Sequence, residues 1–137
     1  MGDLTAALVT ILEGDAATAS LAGAHIYGGE LPLGVMAGGP RAALVVEGSG
    51  GTSLTGASDA PVDTQRVDLT AYGATPAQAE ALLRTASAAL RRVKRRVEAG
   101  VMIHWVNSAG GFAARRDRDG QWPFAFQSFQ ILHSLEE

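Results

Sequence analysis

Apolar positions in this chain recur with two different periods. Leu4, Ala7, Leu8, Ile11 and Leu12 follow Asp3, a good N-cap, at three- and four-residue spacing, and the stripe stops at Gly14, which predicts a first helix. Asp15 can cap a second short helix over Ala16 to Leu21, closed by Gly23, with His25-Ile26-Tyr27 extended behind it. Gly28 to Pro40, with four further glycines and two prolines, reads as a loop. Ala42 to Glu47 reads as a buried strand, and Thr64 to Tyr72 alternates, with Val67, Leu69 and Ala71 on one face. These two strands should form a long hairpin.

Thr75 caps the next pattern with Pro76 at its first position. Leu82, Leu83, Ala86, Ala89, Leu90, Val93 and Val97 then keep helical spacing up to Gly100, so the longest helix is expected to run about 22 residues. Three extended segments close the chain at Val101 to Ser108, Phe112 to Arg116 and Phe124 to Leu135. Turn residues separate them at Ala109-Gly110-Gly111 and Asp117-Arg118-Asp119-Gly120, which predicts an antiparallel meander. In the last segment Phe124 and Phe126 have the opposite parity to Phe129 and Ile131, so a β-bulge or bend is expected near Gln127-Ser128. The order of elements is that of an α+β fold: a mainly antiparallel sheet with a long hairpin and a C-terminal meander, one long helix packed on one face, and short helices at the N-terminus.

Composition sets the scale. The 137 residues are expected to make one domain, and the 47% hydrophobic and 18% charged shares exclude a disordered chain. Alanine and glycine are abundant, while six of eight aromatic residues (Trp105, Phe112, Trp122, Phe124, Phe126 and Phe129) fall in the last third, so the core is expected to lean towards the C-terminal end. A net charge of −3 is too small to predict a polyanionic partner for the whole surface. The start of the chain has no basic region leading into a long apolar run, and no apolar stretch approaches about 18 residues, so neither a signal peptide nor a membrane anchor is expected.

Catalytic chemistry finds little support. Zero cysteines exclude thiol catalysis, thiolate metal sites and disulfides. His25, His104 and His133 lack a second ligand at helical spacing, so no metal site is expected. Glu47-Gly48-Ser49-Gly50-Gly51 misses the frame of a nucleophile elbow, and Gly48-Ser-Gly-Gly-Thr-Ser lacks the lysine and following helix of a phosphate loop, so no cofactor is expected. Asp117-Arg118-Asp119-Gly120 echoes a calcium loop, but the twelfth position is Ser128, not glutamate; a polar turn fits better.

Two segments remain. Gly48 to Asp63 is a patternless stretch of about sixteen residues rich in Gly, Ser and Thr, longer than compact domains usually carry without a function. Arg91-Arg92-Val93-Lys94-Arg95-Arg96 places five cations in what the pattern makes the last turns of the long helix. Cations there are favoured by the helix dipole alone, and they could also dock an acidic surface or contact phosphates.

Taken in order, Leu21-Ala22-Gly23-Ala24-His25-Ile26-Tyr27, the Pro-containing loop, the strand at Ala42 to Glu47, the alternating strand running into Thr75-Pro76-Ala77-Gln78-Ala79, and the turn at Arg116-Asp117 before the final strand resemble a phage family. The chain is similar to the tail terminator, or tail completion, proteins of long-tailed phages and of the gene transfer agents derived from them. The similarity covers nearly the whole chain and rests on packing and turn patterns. It implies an α+β structural protein, not an enzyme, that forms a ring, usually a hexamer, on the end of the tail tube. The ring would end tube polymerisation and meet the head-tail connector. The implied partners are further copies of itself, the major tail tube protein and a connector or stopper protein, with DNA passing through the ring unread and no membrane involved. Assembly would take place in the bacterial cytoplasm, and the product would be part of a virion or transfer-agent particle.

On that reading, Gly48, Ser49, Gly50, Gly51, Thr52 and Ser53 and the cations Arg91, Arg92, Lys94, Arg95 and Arg96 are the candidate subunit or tube interface. The cations could meet acids of a neighbour such as Glu30, Glu136 or Glu137. The alternatives are another neck protein, a head-completion or stopper subunit, and a small DNA-binding domain using Arg91 to Arg96.

Overall fold

The computed structural model describes residues 4–30, 41–50, 62–116 and 123–134. Their order is α1 (Leu4–Gly14), α2 (Ala16–Ala22), β1 (Ile26–Gly28), β2 (Ala43–Gly50), β3 (Val62–Tyr72), α3 (Pro76–Arg91), β4 (Lys94–Glu98), β5 (Val101–Arg116) and β6 (Pro123–Ser134). The fold is α+β, as the pattern predicts. One six-stranded sheet runs β1-β2-β3-β6-β5-β4, antiparallel except for the β1–β2 pair. Asp3, the turn at 117–120 and most of the loops at 29–40 and 48–63 lie outside the described residues.

The helices start where the capping residues direct. Asp15 accepts a hydrogen bond from the Thr18 amide at 3.0 Å, and Gly23 closes α2 with φ +62°. At α3, the Thr75 hydroxyl accepts from the Gln78 amide at 3.2 Å and the Gln78 side chain accepts from the Ala74 amide at 3.1 Å, so two otherwise unpaired donors are satisfied reciprocally. The predicted stripe of α1 is buried, and Leu82, Leu83, Ala86, Ala89 and Leu90 bury the same face of α3.

These helical residues meet Leu44 and Val46 of β2, Val67, Leu69 and Ala71 of β3, and Ala125, Phe129 and Ile131 of β6. Each fully buried leucine or phenylalanine contributes about 1.5–3 kcal/mol. The core does not lean towards the aromatic C-terminal end. Phe129 is fully buried, but Trp105, Phe124 and Phe126 are half-buried, and aliphatic residues of α1 and α3 supply much of the packing.

The long helix stops about six residues short of its predicted end. Its last turn tightens, with the Arg92 and Val93 amides donating to the Ala89 and Leu90 carbonyls, and the chain turns into β4. Val93 is buried, but Val97, read as the next position of the apolar stripe, is 60% exposed. Gly100 is not a helix cap. Ala99 and Gly100 have φ of +49° and +77°, and Glu98 pairs with Val101, so they form the two-residue primed turn of a β4–β5 hairpin.

The meander is therefore β4-β5-β6. Val101 to Arg116 is one strand where two had been expected, because the glycines at 110–111 form a bulge and not a turn: Ser108 opposes Phe129, Gly110 opposes Ser128 and Ala113 opposes Phe126. The irregularity expected in β6 is thus carried by its partner. β6 pairs with β3 without a break from Tyr72–Phe124 to Val62–Ser134. Ala125, Phe129, Ile131 and His133 all face the helices, while Phe124 lies on the other face of the sheet, its ring 6.1 Å from Tyr72. Both faces of β6 are apolar, so parity alone misplaced the core side.

Candidate functional site

The cations from Arg91 to Arg96 lie around a corner and not along a helix end. Arg91 is the last residue of α3, Arg92 its cap, and Lys94, Arg95 and Arg96 belong to β4, which forms an edge of the sheet. Val93 anchors the corner in the core. Arg95 has φ +51°, outside strand geometry, and this kink interrupts an edge strand that carries three cations and Glu98.

The corner is tied to the N-terminal helices by Asp15. Its carboxylate accepts from the Thr18 hydroxyl at 2.6 Å, from the Thr18 amide at 3.0 Å and from Arg92 Nη2 at 3.1 Å. The Thr18 hydroxyl, more than the Arg92 charge, holds the Asp15 carboxyl below the usual aspartate range, against the opposing effect of burial. An open cleft of about 210 Å³ lies here between Ile11, Asp15, Arg92, Lys94 and Arg96. Arg96 pairs with Glu98 at 2.8 Å. Arg91, Lys94 and Arg95 are exposed, and among the described residues none of them has an ion-pair partner.

Of the other candidate residues, Gly48, Ser49 and Gly50 are not loop but the end of β2, where Gly48 opposes Val67, Gly50 opposes Arg66, and the residue between them is bulged. Gly51, Thr52 and Ser53, like Glu136 and Glu137, lie outside the described residues. The structure does not bring Gly48 to Gly50 together with the cations: β2 and β4 are separated in the sheet by β3, β6 and β5.

A broad groove of about 590 Å³ beside β1, between Thr5, Val9 and Thr10 of α1 and Gly28-Gly29, has no titratable group among the described residues that line it. On the face of the sheet away from the helices, Arg66 donates to the Ser128 hydroxyl at 3.2 Å and that hydroxyl donates to Asp68 at 2.6 Å, a chain that ties β3 to β6. Among the described residues no three histidine, aspartate or glutamate side chains gather at metal-binding distance. The Asp15–Arg92 tie spans 77 residues of sequence, and nothing in the local pattern signals it.

Residues 6–134 match the model of a family described as tail completion protein gp17. No curated protein is a match. Among solved structures, a chain of a structure titled "Virion of native gene transfer agent (GTA) particle" is similar, with a TM-score of 0.73 and 19% identity over 96% of this chain and 94% of that one. At that identity the likeness is one of fold.

Proposed function

Since this chain belongs to the family of the tail completion protein gp17, a family of structural tail proteins, we propose that it forms a ring that caps the tail tube of a phage-like particle. The family match over residues 6–134 is the observation that carries this reading. The ring, a hexamer in our reading, ends tube polymerisation and joins the tail to the head-tail connector or stopper protein. One face offers the last tube ring the contacts of another tube subunit, and the other face refuses a further tube ring. The mechanism is steric and interfacial and needs no catalytic group. Assembly takes place in the bacterial cytoplasm, and DNA passes through the ring without being read.

Ring closure needs two different surfaces on each copy, since head-to-tail contacts repeat around the axis. The test is tail length. Particles assembled without this protein should carry tubes of uncontrolled length with no heads attached, measured by electron microscopy, and adding the purified protein should restore a fixed length and head joining. Tubes of normal length in its absence would refute the terminator role, and normal-length tails that fail only to join heads would assign the chain to another neck position.

A further inference from the structure

Edges of the sheet other than β4 carry the opposite charge. β1 stops at Gly28, opposite Val46, so among the described strands β2 itself becomes the edge from Glu47 onward. Glu47 on that edge and Glu30, two residues beyond β1, are exposed, and among the described residues neither has an ion-pair partner. At the other edge stand Arg91, Lys94 and Arg95, equally exposed and equally without one. Within one chain the two sets stay apart. α1 lies between them, its Thr5, Val9 and Thr10 beside Gly28 and Gly29, its Ile11 and Gly14 beside Lys94 and Arg96.

We propose that the two edges meet between copies: the cationic corner of α3 and β4 (Arg91, Lys94, Arg95) of one copy docks on the acidic β1–β2 edge (Glu30, Glu47) of the next. This inference rests on the ring reading above and names the contact that would close the ring. Its basis is charge complementarity. Among the described residues, Arg91, Lys94 and Arg95 stand without an ion-pair partner at one edge, and Glu30 and Glu47 at the other. Either edge set against its own copy would bring like charges together, so the pair of patches disfavours edge-to-same-edge dimers and suits repetition in one direction. The kink at Arg95 fits the same picture, because it discourages plain strand-to-strand pairing at this edge and leaves recognition to side chains.

The experiment uses two full-length variants, one with Lys94→Glu and Arg95→Glu, the other with Glu30→Lys and Glu47→Lys. All four positions are exposed, and unchanged melting temperatures verify the fold. Solution mass is followed by light scattering over a range of concentration and salt. The unsubstituted chain should assemble, more weakly as salt rises. Each variant alone should need at least about tenfold more protein to assemble, since like charges then face one another at every contact. An equimolar mixture of the two should recover assembly, because each supplies the edge that the other has lost.

Replacing the second variant by Glu13→Lys, an exposed acid outside that edge, together with one further acid-to-lysine change elsewhere should not recover assembly. Variants that assemble as well as the original would overturn the edge contact and leave the capping role standing. A mixture that stays dissociated would overturn it too, as would an original chain that stays monomeric at low salt and high concentration. Salt-sensitive binding of a duplex DNA probe, lost in the first variant with assembly unaffected, would assign the cations to phosphate instead.

Discussion

Replacing Ala99 by asparagine should stabilise the protein, and the sign of the effect tests the hairpin directly. Ala99 sits at φ +49° as the first central residue of the β4–β5 turn, with Gly100 at +77° as the second. A left-handed backbone costs a residue with a Cβ about 1–2 kcal/mol, and asparagine recovers part of this through local hydrogen bonding of its side chain. Asn-Gly is the preferred pair for this turn, so Ala99→Asn should gain about 0.5–1 kcal/mol. For a chain of this size the unfolding entropy is about 0.3 kcal/mol/K, which makes the gain roughly 2–4 °C in Tm.

Ala99→Gly removes the same clash but widens the unfolded ensemble, at a cost of about 0.4–1 kcal/mol, so its net gain should be of similar size to that of Ala99→Asn. The assay is thermal and urea unfolding followed by circular dichroism. If residues 90–99 formed the last turns of a helix, as the Leu90, Val93 and Val97 spacing suggests, both substitutions would instead cost about 0.5–1 kcal/mol. A lower Tm for both variants would therefore refute the hairpin.

Other perturbations probe the core and the caps. Phe129→Ala, at a fully buried position on the central strand, should cost about 3–5 kcal/mol in urea unfolding, and Phe129→Leu clearly less. A Cβ on Gly73 would come within 2.6 Å of the Ala79 backbone nitrogen and 3.0 Å of the Gln78 carbonyl carbon; Gly73→Ala should therefore destabilise by about 1–3 kcal/mol, and a neutral result would show that the junction from β3 to α3 can shift freely. Asp15→Asn should retain the N-cap, whereas Asp15→Ala should lose about 1 kcal/mol. Because the folded Asp15 pKa is lowered, its charge contributes stability above the ordinary value of 3.8, and that contribution disappears as pH falls through the lowered one. The stability difference between wild type and Asp15→Asn should then shrink on acidification, and a difference independent of pH would contradict the assignment.

Where local chemistry and global fold agree, the chain was legible. Asp15, Thr75 and Pro76 mark helix starts because capping is decided within four residues, and the alternation of Val67, Leu69 and Ala71 needs only a sheet with a helix on one face. The long helix was overextended because arginine and lysine suit a helix well and because Val97 falls in its stripe. What ended it is the ladder between β4 and β5, a hairpin pairing of residues 94–98 with 101–105 that outweighs their helix propensity, at a turn whose Ala-Gly pair lacks the Asn-Gly or Asp-Gly signal. Gly110-Gly111 could equally be a turn or a bulge, and pairing along β6 decided for the bulge.

The candidate site was legible as a list and not as a place. The cations at Arg91 to Arg96 were found, but their split over a cap and an edge strand, and the separation of Lys94 and Arg95 from Glu47, follow from a sheet order that brings together strands far apart in sequence.

That sheet order also governs when the subunit can exist. β6 is the last described strand to be made, yet it lies between β3 and β5 and supplies the pairing on one flank of each. Until it has been synthesised the chain holds two unconnected pieces, β1-β2-β3 and the β4–β5 hairpin, each with a long open flank. Native folding must therefore wait for the C-terminal strand, through contacts of high sequence separation that form slowly. A chain interrupted before Pro123 lacks the seam between the two halves of the sheet, so synthesis itself acts as a gate, and a competent subunit appears only when that strand is in place.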